Sequence, residues 1–334
     1  MQQQADSDTN RNMIDKAPSI PTLAEIYAAA EALAPYINRT PLLQLQHSGQ
    51  SSGIFLKLES LQVIGAFKAR PTGNVLLTAD PVALQDGVYT ASSGNAGLGL
   101  AYMASELGLA ATVYAPDTAP VEKLAAIRNF GTKLQTMSEA EWWQIILKSG
   151  HPDAPGLYVD AVRDPSALAG NATIGLEIIE QMPDVDTIII PFGGGGLSCG
   201  IAAAIRALKP DTRIIVAESD AATPLTAALQ AGRPVSVAVT PSFISGAGAS
   251  SVLEEMWPLL SKLVDDTFVV PVADVASAVR CLFERGRLVA EGAGAIALAA
   301  ALASGGNFGK TVCVVSGGNI DAEVMAAILR RQRR

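Results

Sequence analysis

Histidine is scarce in this 334-residue chain, and the two present, His47 and His151, stand far apart in stretches that read as loops. That disfavours a histidine-based metal centre or a catalytic triad. Cysteine is equally sparse. Cys199, Cys281 and Cys313 sit singly in apolar settings without metal-ligand spacing, as expected of reduced thiols in a cytoplasmic protein. Basic residues do not predominate: 24 Lys and Arg stand against 32 Asp and Glu, for a net charge of −8. Nucleic acid is therefore not an expected partner, and Arg330-Arg331-Gln332-Arg333-Arg334 reads as a frayed helix end. No apolar run reaches the ~20 residues of a membrane span. The run at 293–303 is short and built of small residues, and no signal peptide is evident.

What remains is a chain that is 49% hydrophobic, only 17% charged, and rich in alanine and glycine. Such a composition suits helices packed closely on a parallel sheet, in two domains or one large α/β unit. Residues 1–20 are polar and aperiodic and are expected to be disordered. Thr22 can cap a helix to about Ala34, ended by Pro35. Strands are expected at 54–58, 87–91, 111–115, 133–136, 187–191, 213–217 and 311–315. Helices are expected at 67–77, 98–107, 121–130, 139–147, 169–181, 224–230, 275–287 and 294–303, with one from the glycine quartet to Leu208. The continuous apolar strands alternate with helices, which argues for a parallel sheet covered on both faces. The Pro/Gly-containing loop at 151–156 suits a passage between domains, and Trp142-Trp143 reads as a packing pair.

Four stretches carry chemistry. Phe67-Lys68 opens a helix, where the macrodipole disfavours an ammonium. Desolvation and the dipole would both lower the amine's pKa, as Schiff-base chemistry requires. Gly193-Gly194-Gly195-Gly196 joins a strand to a helix N-terminus and reads as a phosphate cup or as a tight turn. It lacks the Lys-Ser/Thr of a P-loop and only loosely imitates a dinucleotide fingerprint. Ser92-Ser93-Gly94-Asn95-Ala96-Gly97 has the same placement with hydroxyls and an amide, suited to a carboxylate or to simple capping. Ser316-Gly317-Gly318-Asn319 puts a neutral hydroxyl at the end of the last strand. A lysine nucleophile, a phosphate cup, a carboxylate cup and a neutral hydroxyl are what a phosphorylated aldehyde cofactor handling amino acids would use.

With Val289-Ala290-Glu291-Gly292-Ala293-Gly294 added, these motifs resemble those of the fold-type II pyridoxal-phosphate enzymes, in particular the serine/threonine dehydratase and serine racemase group. The resemblance runs from about Arg39 to Asn319. It implies an α/β, tryptophan synthase β-like fold with two open twisted sheets and pyridoxal 5′-phosphate in the cleft between them. A large domain would comprise 21–83 and 157–334, and a small one 84–156. It implies that Lys68 holds the cofactor and moves the Cα proton. Phe67, Asn95, Gly193, Gly194, Gly195, Gly196, Glu291 and Ser316 would also contact the cofactor, and Ser92, Ser93, Asn95 and Ala96 would receive the substrate carboxylate. The implied reaction is dehydration and deamination of L-threonine or L-serine in a cytoplasmic homodimer. The alternatives are racemisation with Ser93 serving the second face, or a larger β-hydroxy substrate such as phenylserine or 3-hydroxyaspartate. A cofactor binder without turnover and a dinucleotide oxidoreductase are rivals of other classes.

The chain departs from the family pattern in places. Ala66 replaces a serine before Phe67, and Pro71 a glycine after Arg70. Ala96-Gly97 replaces a pair containing histidine, and Ser245-Gly246-Ala247-Gly248 an Asp-Gly pair. Members resembling serine racemase hold Mg²⁺ or Ca²⁺ with a glutamate, a carbonyl and an aspartate. Glu218 and Ala222 match the first two, but Pro224 stands in place of the aspartate, so no metal is expected. No regulatory domain is expected after the last helix, and with it no feedback by isoleucine.

Overall fold

The computed structural model describes residues 18–47, 50–119, 121–305 and 308–330. Residues 1–17 of the expected N-terminal tail lie outside these. Helix α1 (Leu23–Leu33) starts at Thr22 in a capping box with Glu25, which settles two of its first N–H groups. Two sheets follow. The larger has the order β1 (Leu42–His47), β2 (Gln50–Lys57), β10 (Thr311–Val314), β7 (Thr187–Pro191), β8 (Arg213–Ser219), β9 (Asp266–Val270). Only β1 and β2 pair antiparallel; the other pairs are parallel. The smaller is wholly parallel, in the order β5 (Lys133–Met137), β4 (Ala111–Pro116), β3 (Val88–Ala91), β6 (Leu157–Tyr158).

Alternation along the strands divides the large core in two. Ile189, Ile215 and Cys313 pack on one side with α10 (Val272–Cys281) and α11 (Gly292–Ala303). Ile188, Ile190, Val216 and Val312 pack on the other, with α6 (Pro165–Gln181), α7 (Gly196–Leu208) and α9 (Trp257–Leu263). The small sheet is flanked by α3 (Asn95–Glu106), α4 (Val121–Arg128) and α5 (Glu139–Leu147). Helices α2 (Ala69–Thr78), α8 (Pro224–Ala231) and α12 (Ala322–Arg330) complete the chain. Among the described residues no helix is long and apolar enough to cross a membrane.

Several expected elements shift. The expected helix at 275–287 is α-helical only to Cys281, then widens into a π turn over Leu282–Gly286 and stops at Arg287 in the left-handed region. Helix α6 begins at Pro165, earlier than expected, because Asp164 accepts from Ser166 N and proline suits a first helical position. Strands β1, β6 and β9 and helix α9 were not expected. All three strands are edges whose pairing, not local pattern, defines them.

Beside the site lies a buried ionic cluster. Arg70, in the first turn of α2, is fully buried. Its Nε and Nη2 donate to the two oxygens of Glu59 (2.8 and 2.9 Å), and its Nη1 to Glu177 (2.7 Å) and Thr173 (3.0 Å). Lys57 donates to Glu177 and to the Thr40 carbonyl (2.8 Å), and Thr40 donates to Glu59 (2.6 Å). Two cations and two anions thus cancel inside the fold, two residues from Lys68. Pro71, the third residue of the same helix, removes only an N–H that has no intrahelical partner at that position.

Candidate active site

The carboxyl ends of both sheets face one cavity of ≈ 720 Å³, within the range of small-molecule sites. Every residue singled out for cofactor or substrate lines it: Phe67, Lys68, Ser92, Ser93, Asn95, Ala96, Gly193 to Gly196, Glu291 and Ser316.

Lys68 is the cap residue of α2, one position before the helix begins. It opens onto the cavity, while the protein packed around its amine desolvates it and pushes its pKa down to about 8; the negative charge of Asp160 acts in the opposite direction. The amine lies 3.4 Å from the Ala161 carbonyl and 5.0 Å from the Phe67 ring centroid. The helix start is clamped from behind, because Thr72 Oγ1 donates to the Lys68 carbonyl (2.6 Å).

The glycine quartet is pressed on by protein. A Cβ on Gly193 would stand 2.7 Å from the Gly246 carbonyl, one on Gly194 would stand 2.9 Å from a Val162 methyl, and Gly195 has φ +95°. Among the described residues the N–H groups of Gly193, Gly194 and Gly195 donate to no protein acceptor. They line the cavity at the N-terminus of α7, as a cup for an anion requires. The tight-turn and phosphate-cup readings are thus compatible here.

The segment facing the quartet was not visible in the sequence. Asp160 accepts from Val162 N (2.9 Å) and Arg163 N (3.0 Å), and Arg163 Nε donates back to it (2.6 Å). This turn presents the Ala161 carbonyl to Lys68 and Val162 to Gly194. Arg163 also donates to the Ile146 carbonyl (2.7 Å), tying in α5, whose Trp142 and Ile146 line the cavity. Trp142 is anchored by its indole N–H on the Tyr114 carbonyl (3.1 Å), while Trp143 is largely exposed.

Asn95 joins the two sheets. Its amide donates to Glu291 Oε1 (2.7 Å), and its carbonyl accepts from Asn319 (2.7 Å), whose amide also reaches the Ile64 carbonyl (2.9 Å). Glu291 caps α11 in position, its N–H donating to the Gly317 carbonyl (3.0 Å). A Cβ at 317 would lie 2.3 Å from Glu291 Oε1, so a side chain there would push that carboxylate from its place. Ser316 is buried at the end of β10.

Glu218 is occupied. Its two oxygens accept from Leu225 N and Thr226 N (2.8 Å each), and Thr226 Oγ1 adds a third bond (2.6 Å). Burial raises its pKa, and those bonds partly offset the rise. Among the described residues no group of three or more His, Cys, Asp or Glu side chains is placed to hold a metal ion. Turnover is expected to survive EDTA with less than about a twofold change, since capture of the carboxylate by N–H groups leaves a hard cation few oxygens. Initial rates before and after chelation test this, and a large loss restored by Mg²⁺ or Ca²⁺ would contradict it.

A family model described as pyridoxal-phosphate dependent enzyme matches residues 33–317. The chain is 38% identical to an L-threonine ammonia-lyase of Geobacter sulfurreducens over 314 residues, 92% of this chain and 77% of the relative. Maize serine racemase superposes with a TM-score of 0.84 at 30% identity, covering 95% of this chain and 98% of that one. The processed form of a threonine deaminase from Solanum lycopersicum does so with a TM-score of 0.85 at 26% identity, covering 96% and 97%.

Proposed function

The chain belongs to the pyridoxal-phosphate-dependent enzymes, and from that premise we propose that it dehydrates and deaminates L-threonine or L-serine to the 2-oxo acid and ammonium. The observation that carries the proposal is the convergence in one cavity of a desolvated amine, a row of unpartnered N–H donors and a neutral buried hydroxyl. The name of the Geobacter relative supports the same reading.

The residues present fit the cofactor: orphaned donors at a helix N-terminus suit a phosphate, and an amine brought to about 8 is partly neutral near physiological pH. When bound, pyridoxal phosphate supplies a carbonyl that condenses with amines and a ring that takes up electrons released at Cα. On this reading the chain does the rest. Lys68 holds the group covalently and carries the Cα proton. The N–H groups of Gly193 to Gly196 would bind the phosphate, with Phe67, Asn95 and Glu291 around the ring. Ser92, Ser93, Asn95 and Ala96, at the N-terminus of α3, would receive the substrate carboxylate. Ser316 would meet the pyridine nitrogen with a hydroxyl, not a carboxylate. A hydroxyl at that place would not hold the nitrogen protonated, and so would favour loss of the β-hydroxyl over amino-group transfer. Ser93 in the same cavity supports racemisation as a second reading.

Incubation with L-threonine and L-serine is expected to release 2-oxo acid and ammonium in equal amounts. Loss of the L-enantiomer without 2-oxo acid would favour racemisation. No turnover across these two, phenylserine and 3-hydroxyaspartate would sink the lyase reading.

Gly194→Ala is expected to weaken cofactor retention about tenfold, with stability changed by no more than about 1 kcal/mol. Val162 cannot easily yield to the new methyl, because Asp160 holds its N–H, so the turn bearing the donors must shift instead. Cofactor content after exhaustive dialysis, beside urea denaturation, measures both. Full retention would reduce the quartet to a turn.

The same proposal includes a cytoplasmic homodimer and a small domain at 84–156 within a larger one at 21–83 and 157–334. The free cysteines support the compartment, and exposed Leu61, Val63 and Val289 suit a covering second copy. Strands β3, β4 and β5 of the second sheet, from Val88 to Met137, lie within 84–156 and support the division, while β6 joins that sheet from just past its boundary.

A further inference from the structure

Ser198 is the third residue of α7, just past the Gly195 cap. It is 1% exposed, lines the cavity, and its hydroxyl has no hydrogen-bond partner in the protein. A helical serine can satisfy itself on the carbonyl one turn back. This one does not, and a buried orphan hydroxyl is costly enough to need a reason. Helical side chains lean toward the N-terminus of their helix, which aims this hydroxyl at the turn carrying Gly193 to Gly195. Those three residues bring their own unpartnered N–H groups to the same place.

The charge balance of the cavity points to the same role. Among the described residues the charged side chains that line it are Lys68, Glu291 and Asp321, with no arginine and no second lysine to neutralise a phosphate. Binding a dianion there falls to oriented dipoles and hydrogen-bond donors. Under those conditions one additional hydroxyl matters.

We infer that Ser198 donates its hydroxyl to the cofactor's phosphate and so completes the donor set begun by the glycine quartet. The inference rests on the cofactor of the family and not on the choice of substrate.

The test uses the full-length chain, freed of cofactor and reloaded, with Ser198→Ala against wild type. Pyridoxal phosphate and pyridoxal, which lacks the phosphate, are titrated separately by the visible absorbance each gives with the protein. The dissociation constant for pyridoxal phosphate is expected to rise about tenfold or more, as for a lost bond to a charged group. That for pyridoxal is expected to stay unchanged. The melting temperature of the cofactor-free chain is expected to hold or rise, because alanine removes an orphaned hydroxyl. Ser198→Cys, near-isosteric and a weak donor, serves where alanine disturbs folding and should show the same split. Unchanged affinity for pyridoxal phosphate overturns the inference. So does an equal loss for both ligands, which would mark the serine as support for Lys68 or the fold. Wild-type protein that took up neither ligand would instead overturn the cofactor reading beneath it.

Discussion

Lys68→Ala is expected to lose the borohydride-reducible visible band and to lower 2-oxo acid release by about 10⁴-fold or more. Proton transfer by a positioned group alone contributes about 10²–10⁴, and covalent attachment is lost with it. The fold should persist, because the substitution empties space that already opens on the cavity. A second signature follows from the buried amine. Its pKa in the folded chain, about 8, lies below the ordinary lysine value of 10.5. Such a group penalises the folded state fully below pH 8, and the penalty fades as pH rises from about 8 towards 10.5. The cofactor-free wild type should therefore gain stability over that window relative to Lys68→Ala, which has no amine to titrate. Urea denaturation at pH 7.5 and pH 10 measures the difference. Near-wild-type turnover by the variant would remove Lys68 from the chemistry.

Arg70→Met is expected to destabilise the protein by about 3–5 kcal/mol, the range for stripping one partner from a buried pair. Glu59 would lose both bonds from Arg70, and Glu177 would keep only Lys57. The loss should shrink in acid. Burial alone would raise the Glu177 pKa, but Arg70 first and Lys57 second overcome it and hold the carboxyl below its ordinary value. A carboxylate held low contributes stability above its unfolded pKa and surrenders it as pH falls through the folded one. Without Arg70 only the part that Lys57 supplies remains, so wild type and variant begin to converge as pH falls below about 4.5 and draw closer as it passes the lower, folded value. Adding Glu59→Gln should recover part of the loss at pH 7 by removing a stranded charge. Unfolding midpoints for the three proteins decide this. A drop under 1 kcal/mol for Arg70→Met would show that water reaches the cluster.

The parts of the site that could be read from sequence are those where one short stretch combines a strand end, glycines and a helix start. Lys68, the quartet, Ser92 to Ala96 and Ser316 are all of that kind, and the fold gathers them because parallel strands deliver their carboxyl ends to one edge. The rest depends on long-range contact. Arg70 looks like an ordinary helix-surface charge until Glu59 and Glu177 close on it from different elements. Asp160 and Arg163 look like loop polarity, and their role exists only opposite Val162 and Gly194. Ser198 sits in an ordinary helical run, and only an unpartnered hydroxyl at the wall of the cavity distinguishes it. The edge strands β1 and β9 follow the same rule, since a neighbour's unpaired backbone makes them strands.

The strand order of the larger sheet also dictates when this protein can fold during synthesis. Strand β10 lies between β2 and β7, yet among the described strands it is the last to leave the ribosome. Until residue 314 has emerged, β2 and β7 each present an open, apolar edge, and Ser316 has no strand to stand on. The smaller sheet is contiguous in the chain, from Val88 to Tyr158, and its strands can pair as soon as they appear. Nascent chains stalled before Thr311 should hold a formed second sheet beside an unclosed first one, which makes them sticky and catalytically empty. The larger sheet therefore stays open until its central strand arrives, however early its other strands are made.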